Sequence, residues 1–329
     1  MAAAAGVCLN SARAGRVPGR RQDEVAARGG EGNEMNGRSM MMAWALLVVG
    51  LGGAGCTESF DLTFNYQAAQ TPAVALRVDN LQGSVRLEKG AVGSAISGRV
   101  KVHAAGFDKE SQAKAAAEAV EIVENMNGDE LVLSVSLPAS GRSKTFDVTF
   151  DLSVPENLSV AVVTDNGRVS IDGLAVTEVD TTNGPVDLVF TAAVGDDETT
   201  VRTQNGAVSV DAHEGAIDVL TTNAVIDIFD VAGDARASTT NAPITARVIP
   251  PPGGEVILST TNAPIDLALP RDFGARLIAV TSSPGVIAIS SDLRFTPTGG
   301  FPGQAEGVLG DGAGRVDVRT TLEDVFIHR

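Results

Sequence analysis

The densest group of titratable side chains in the repetitive part of the chain is VDAHEGAIDV, which carries Asp211, His213, Glu214 and Asp218. Carboxylates flanking an imidazole are the raw material of general acid–base chemistry, as in glycoside hydrolysis. The spacing works against that use. In extended backbone, successive side chains face opposite sides, so these groups are expected to part company across a strand or a turn. The other histidines, His103 and His328, are remote in sequence, and no HxxxH or paired-cysteine spacing accompanies them. No metal site and no cofactor is expected. The acidic GDDETT segment (Gly195 to Thr200) reads as a solvated loop tip. A nucleophile elbow, a phosphate-binding loop, a dinucleotide fingerprint and an EF-hand loop do not occur. No catalytic residue is assigned.

The second chemical group is a thiol. The chain has two cysteines, Cys8 and Cys56, and Cys56 ends the stretch MNGRSMMMAWALLVVGLGGAGC. Arg38 gives a positive flank, Met40 to Leu51 an apolar run, and Gly53, Ala54 and Gly55 the small residues before the cysteine. The run is too short to span a bilayer, which takes roughly 20 residues. It resembles a bacterial lipoprotein signal, and the resemblance implies a lipid attached to Cys56 after cleavage. Several acyl chains on one residue give stable anchoring, where one chain does not. Residues 1–34 read as a disordered leader upstream of a start at Met35, and residues 35–55 as the signal. A tether and first strand are expected over 56–73. Beyond residue 55 the net charge is about −18. That balance excludes nucleic acid and anionic headgroups as partners, since both select basic patches.

The rest of the chain must position these groups, and it is written as a repeat. The segments DTTNGPVDLVF, RTQNGAVSVDA, LTTNAVIDIFD, STTNAPITARV and STTNAPIDLALP align on Asn183, Asn205, Asn223, Asn241 and Asn262, with Asn166 before them. Ser283 and Leu322 fit the same place further on. Four residues before each asparagine stand Val162, Val179, Val201, Val219, Ala237 and Leu258; two before it, threonine throughout. Three and five after it come Val169 and Ile171, Val186 and Leu188, and so on through Ile265 and Leu267. Period-two alternation on both sides of a polar corner predicts two short strands per copy. Coils of about 20 residues then predict an all-β single-stranded β-helix or β-solenoid over 161–290.

Stacking makes further demands. Asparagine tolerates left-handed backbone, and alanine follows it in the later copies, so the asparagine is expected to carry a positive φ there. The amides of Asn166, Asn183, Asn205, Asn223, Asn241 and Asn262 are expected to form a corner ladder. Pro185, Pro243 and Pro264 mark a corner outside the strand pairing. Four after the asparagine the residues read Ser170, Asp187, Ser209, Asp227, Thr245 and Asp266. Hydroxyls interleaved with carboxylates keep like charges apart, and Asp187, Asp227 and Asp266 form a candidate surface stripe for a cation or ligand.

Residues 74–160 alternate less regularly and predict a β-rich cap with one helix over 108–127. Asp108 is its expected cap, Ala113, Ala116, Ala117, Val120 and Val123 its stripe, and Asn127-Gly128 its stop. Residues 291–329 predict a Gly/Pro loop followed by a coil that closes the stack. The TTNG coils, the FDVTFDLSVPENLSVAVVTDNGRVSIDG entry and the terminal VDVRTTLEDVFI resemble a bacterial adhesin-like domain family of unknown function, related to autotransporter-adhesin head domains. The resemblance covers 74–329. It implies an exported or membrane-anchored β-solenoid and transfers no catalytic residues. The expected function is an envelope lipoprotein presenting a binding or spacer surface to a protein or glycan, on the outer-membrane side because Thr57 and not an aspartate follows Cys56. Two rival functions remain open. One is a polysaccharide-processing β-helix enzyme, against which the scarcity of aromatics counts; the other is a periplasmic scaffold for an envelope-stress partner.

Overall fold

The computed structural model describes residues 57–68, 73–138, 145–282 and 285–329. The leader (1–34), the signal segment (35–55), Cys56 and Ser283 lie outside the described residues.

The N-terminal part opens with strands β1 (Glu58–Gln67), β2 (Ala75–Gln82), β3 (Val85–Gly90) and β4 (Ser97–Phe107). Helix α1 (Glu110–Glu118) follows, then β5 (Glu121–Asn127), β6 (Glu130–Ser136) and β7 (Thr145–Pro155). The helix is shorter than the expected 108–127. It is preceded by Lys109, not by an Asp108 cap, and no side chain caps its first turn. Its buried residues are Ala113, Ala116 and Ala117, which pack on β1 and β4. Ile122 and Val123 belong instead to β5, antiparallel to β6. β-Branched side chains favour that pleated surface over a helix. Asn127-Gly128 therefore opens a hairpin: Gly128, at φ 63, occupies the first of two central turn positions, where a type II′ turn needs positive φ.

The repetitive part alternates between two sheets. One takes β8 (Ser159–Asn166), β10 (Ala175–Thr181), β12 (Thr199–Thr203), β14 (Ile217–Leu220), β16 (Ala235–Ser238) and β18 (Glu255–Ser259). The other takes β9 (Val169–Asp172), β11 (Val186–Val189), β13 (Val208–Asp211), β15 (Ile226–Val231), β17 (Ile244–Val248) and β19 (Ile265–Ala268). Each strand pairs in parallel with its counterpart one copy earlier. Val179 thus pairs with Val162 and Val201, and Val208 with Val186 and Ile226. These columns are fully or almost fully buried, and their filling of Val, Ile, Leu and Ala explains how so few aromatic rings suffice. The buried rings sit mostly in the N-terminal part, where Phe107 and Phe146 meet edge to face at 6.2 Å.

The chain ends with β20 (Ala275–Thr281), β21 (Ile287–Ile289), β22 (Phe295–Gly299), β23 (Gln304–Leu309), β24 (Gly314–Thr320) and β25 (Val325–His328). Two expectations are corrected here. Residues 291–309 are largely a hairpin, with β22 and β23 antiparallel, because Phe295, Thr296, Val308 and Leu309 favour extended structure. The terminal coil also does not close the stack. β24 lies between β18 and β20, and β25 between β19 and β21. The other end has the same arrangement: β2 lies between β6 and β8, and β3 between β7 and β9. The first and last copies in sequence are therefore gripped on both sides, and the sheet margins are formed by β1, β5, β21 and β22. The described residues are all-β apart from α1 and a short 3-10 turn, in a 12-stranded and a 13-stranded sheet, both rich in parallel pairing.

Candidate functional site

The asparagine corner is built by hydrogen bonds that run one way. The Nδ2 of Asn183, Asn205, Asn223, Asn241 and Asn262 each donates to the Oδ1 of the asparagine one copy earlier, at 2.7, 2.8, 2.9, 2.7 and 2.7 Å. Beneath them, the threonines two places earlier are buried. Thr181 and Thr203 Oγ1 accept from the N–H of Gly184 and Gly206. Where alanine replaces glycine the hydroxyl turns round: Thr239 and Thr260 donate to the carbonyls of Ala224 and Ala242 in the copy before. None of the corner asparagines has the expected positive φ. The non-glycine residues with positive φ among those described are Phe190, Ala212, Asp230 and Arg294. Glycine is selected by crowding instead: a Cβ on Gly184 would lie 1.7 Å from the carbonyl oxygen of Gly167, and one on Gly206 1.8 Å from that of Gly184. The prolines contribute carbonyls, with Pro185 accepting from Val169 N–H. Leu322 stands at the asparagine place in the copy beside Asn262, where the amide file ends.

Asp187, Asp227 and Asp266 lie in one column of the 12-stranded sheet, separated by Ser209 and Thr245. Two of the three are engaged. Arg168 pairs with Asp187, and His328 Nε2 lies 2.7 Å from Asp266 Oδ1. A backbone bond at Arg329 and the Asp266 carboxylate raise the His328 pKa. Among the described residues, no group of three or more His, Cys, Asp or Glu is placed to hold a metal ion.

The more unusual geometry lies at the opposite corner, seven residues after each asparagine. Gly173, Phe190, Ala212 and Asp230 occupy this place in four successive copies, at φ 73, 50, 55 and 54. Left-handed backbone is free for glycine, but costs about 1–2 kcal/mol for the others. The next residues, Leu174, Thr191, His213 and Val231, turn into the core. The residues after those, Ala175, Ala192, Glu214 and Ala232, form a single file of parallel bridges. Lys89 and Glu156, paired with each other, stand beside this corner. Together they line a furrow of about 560 Å³.

Within it the sequence-flagged cluster is split. His213 is wholly buried, and its Nδ1 is 2.9 Å from Thr191 Oγ1. Its Nε2 is buried without a well-formed hydrogen bond. Burial pushes its pKa down to about 4, the Ala216 backbone opposing only in part. Glu214 is exposed at the furrow. Asp211 lies on the 12-stranded sheet and Asp218 on the 13-stranded one, where burial raises its pKa against Arg202 and Arg236. No acid–base pair is assembled from these four. Sequence reasoning missed Phe190 and Thr191; the signal was Gly173, which marks the left-handed place for the copies that follow.

No protein-family model matches the chain, and no curated protein matches it. Among solved structures, it is similar to a putative adhesin from Bacteroides fragilis, at 10% identity and TM-score 0.32, over 82% of this chain and 97% of that one. It is also similar to a putative cell adhesion protein from Clostridium sporogenes, at 10% identity and TM-score 0.25, over 83% and 99%. A putative lipid binding protein from Parabacteroides distasonis gives 9% and 0.24, over 84% and 97%. Similarities this distant carry neither fold nor function across.

Proposed function

We propose that the chain is a non-enzymatic lipoprotein of the bacterial cell envelope, a rigid acidic β-solenoid that serves as an adhesin-like binding or spacer element. The observation that supports it is the vertical file from Asn166 to Asn262, in which equivalent residues of successive copies touch. Twelve strands at about 4.8 Å spacing give a stack roughly 50 Å long. Length without a gathered acid–base pair suits presentation better than turnover. β1 begins two residues after Cys56, so lipid on that thiol would hold the stack's β1 end at a bilayer. No described helix is long and apolar enough to cross a membrane. Thr57 follows Cys56 where an aspartate would favour inner-membrane retention, which supports the outer membrane.

Labelling of the full-length protein in cells with a radioactive fatty acid tests this reading. Label is expected on the wild type in the outer-membrane fraction, and Cys56→Ser is expected to lose it and leave the membrane. An unlabelled, soluble wild type overturns the anchor.

A further inference from the structure

Three departures from the repeat converge on the furrow at the left-handed corner. Phe190 stands where the neighbouring copies place Gly173 and Ala212. His213 stands in a buried file otherwise filled by Leu174, Thr191 and Val231. Glu214 stands in a bridge file whose other members are alanines. The repeat does not require any of the three, since neighbouring copies hold glycine or alanine, then leucine, threonine or valine, then alanine at these places. Phe190 is 69% exposed and its backbone is held at φ 50, so the position combines exposure with strain. Burial of His213 leaves Nε2 without a proper partner, a deficit that a packed core ordinarily avoids. Glu214 is exposed and makes no ion pair among the described residues. A regular repeat supplies its own background, and against it these side chains are additions at one place.

The charge of the furrow narrows what fits. Its cation, Lys89, is neutralised by Glu156, and Asp230 is paired with Arg247 on the far side. The remaining free charge is the Glu214 carboxylate, so an anionic ligand meets repulsion. An aromatic face beside carboxylate acceptors suits a ring with apolar C–H faces and hydroxyl rims. The spacing agrees. Phe190, Glu214 and Asp230 come from three consecutive copies, and one pyranose residue is about as long as the separation of adjacent strands, roughly 4.8 Å.

The geometry points to an uncharged oligosaccharide as the ligand of this furrow, lying along the stack with one sugar face on Phe190 and hydroxyls of the following sugars donating to Glu214 and Asp230. The inference gives a ligand class to the display role and rests on that reading, but its test is made in solution and does not depend on the anchor.

The test is titration calorimetry of the full-length protein with linear hexamers of β-1,4-linked glucose and of N-acetylglucosamine. A galacturonate hexamer and a lysine-rich peptide serve as charged alternatives. At least one neutral hexamer is expected to bind, with a dissociation constant on the order of 0.1–1 mM. Phe190→Gly is expected to weaken binding roughly tenfold while raising the thermal midpoint, because it removes ring and strain together. Glu214→Gln is expected to weaken binding severalfold with the midpoint unchanged, and Asp187→Asn to leave binding alone. Three results would overturn the inference: no heat from either neutral hexamer at millimolar concentration, undiminished affinity in Phe190→Gly, or tighter binding of galacturonate or the peptide. A soluble, unlipidated wild type that still bound a neutral hexamer would refute the anchor and leave the furrow standing.

Discussion

The two corners of each copy solve the same problem, a reversal between sheets, in opposite ways. At the asparagine corner, backbone passes so close to backbone that Gly184 and Gly206 leave no room for a Cβ, and amides and threonine hydroxyls satisfy what the turn exposes. At the other corner there is room for side chains as large as phenylalanine, and the backbone is strained at a non-glycine residue in three consecutive copies. One corner is fixed by contact, and its asparagine and threonine recur from Asn166 to Asn262. The other turns on a left-handed residue and is joined copy to copy by backbone bonds such as Phe190 N–H to the Asp211 carbonyl, while its side chains vary from copy to copy. Variation is tolerated where a side chain does not sit between stacked backbones, and that is where a furrow with distinct chemistry has room to arise.

The largest expected effect is at the crowded corner. Gly184→Ala would drive a methyl to 1.7 Å from the Gly167 carbonyl oxygen, which is backbone and cannot swing aside. Stacked copies would have to separate locally, and a loss of about 3 kcal/mol or more is expected from urea denaturation. Gly173→Ala, at the open corner, meets no backbone but the stem of Lys89, with its Cβ at 2.9 Å, and a strained φ, and is expected to lose about 1 kcal/mol. Equal losses would erase the contrast between the corners.

Next comes His213, the buried ionisable group of the open corner. Its folded pKa near 4 lies below the ordinary value of 6.5, so the unfolded chain binds a proton first as pH falls. The neutral imidazole's contribution is therefore complete above pH 6.5 and is lost between 6.5 and 4, by up to about 3 kcal/mol. His213→Val places in this file the residue already present at Val231, and is expected to flatten the difference in stability across that pH window. A variant as acid-sensitive as the wild type there would show that the imidazole is not the group responsible.

The contrast also explains what the sequence reveals and what it hides. The columns at Val201, Thr203, Ile226 and Ile228 are legible because burial imposes a side-chain type on every copy, and period two names the strand. The left-handed corner is hidden because φ selects glycine only weakly: Gly173 obeys, while Phe190, Ala212 and Asp230 do not. The left-handed backbone expected of the asparagine fails for a related reason, while its amides do stack. Asparagine is common both where φ is positive and where amides stack, and only the distance between copies separates the two uses. The threading of β24 between β18 and β20 is hidden more deeply, since any copy with the right columns can pair with any other. Order along the stack is decided by the chain between copies, here the β22–β23 hairpin, whose Gly and Pro content reads locally as a loop.

The asparagine file itself is a moderate contributor. Asn205→Ala removes the bond it donates to Asn183 and the one it accepts from Asn223. All three side chains are exposed, so water takes over much of the lost bonding, and about 1 kcal/mol in total is expected. A loss no larger than at an isolated exposed asparagine such as Asn125 would mean that the file adds register but no stability.

The smallest effect is the most discriminating, because its sign reverses between corners. Alanine to glycine ordinarily destabilises by roughly 0.5–1 kcal/mol, since the unfolded chain gains freedom. Ala242, at the asparagine corner, does not have positive φ and packs its methyl inside, so Ala242→Gly is expected to follow that rule. Ala212 sits at φ 55, where glycine relieves strain by an amount of the same order or greater. Ala212→Gly is therefore expected to leave stability unchanged or raise it by up to about 1 kcal/mol, measured as a urea midpoint against wild type at pH 7. Parallel losses at both sites would mean that the second corner is not held left-handed in solution. The strain attributed to Phe190 would then disappear, and with it the reason to expect Phe190→Gly to gain stability while losing sugar.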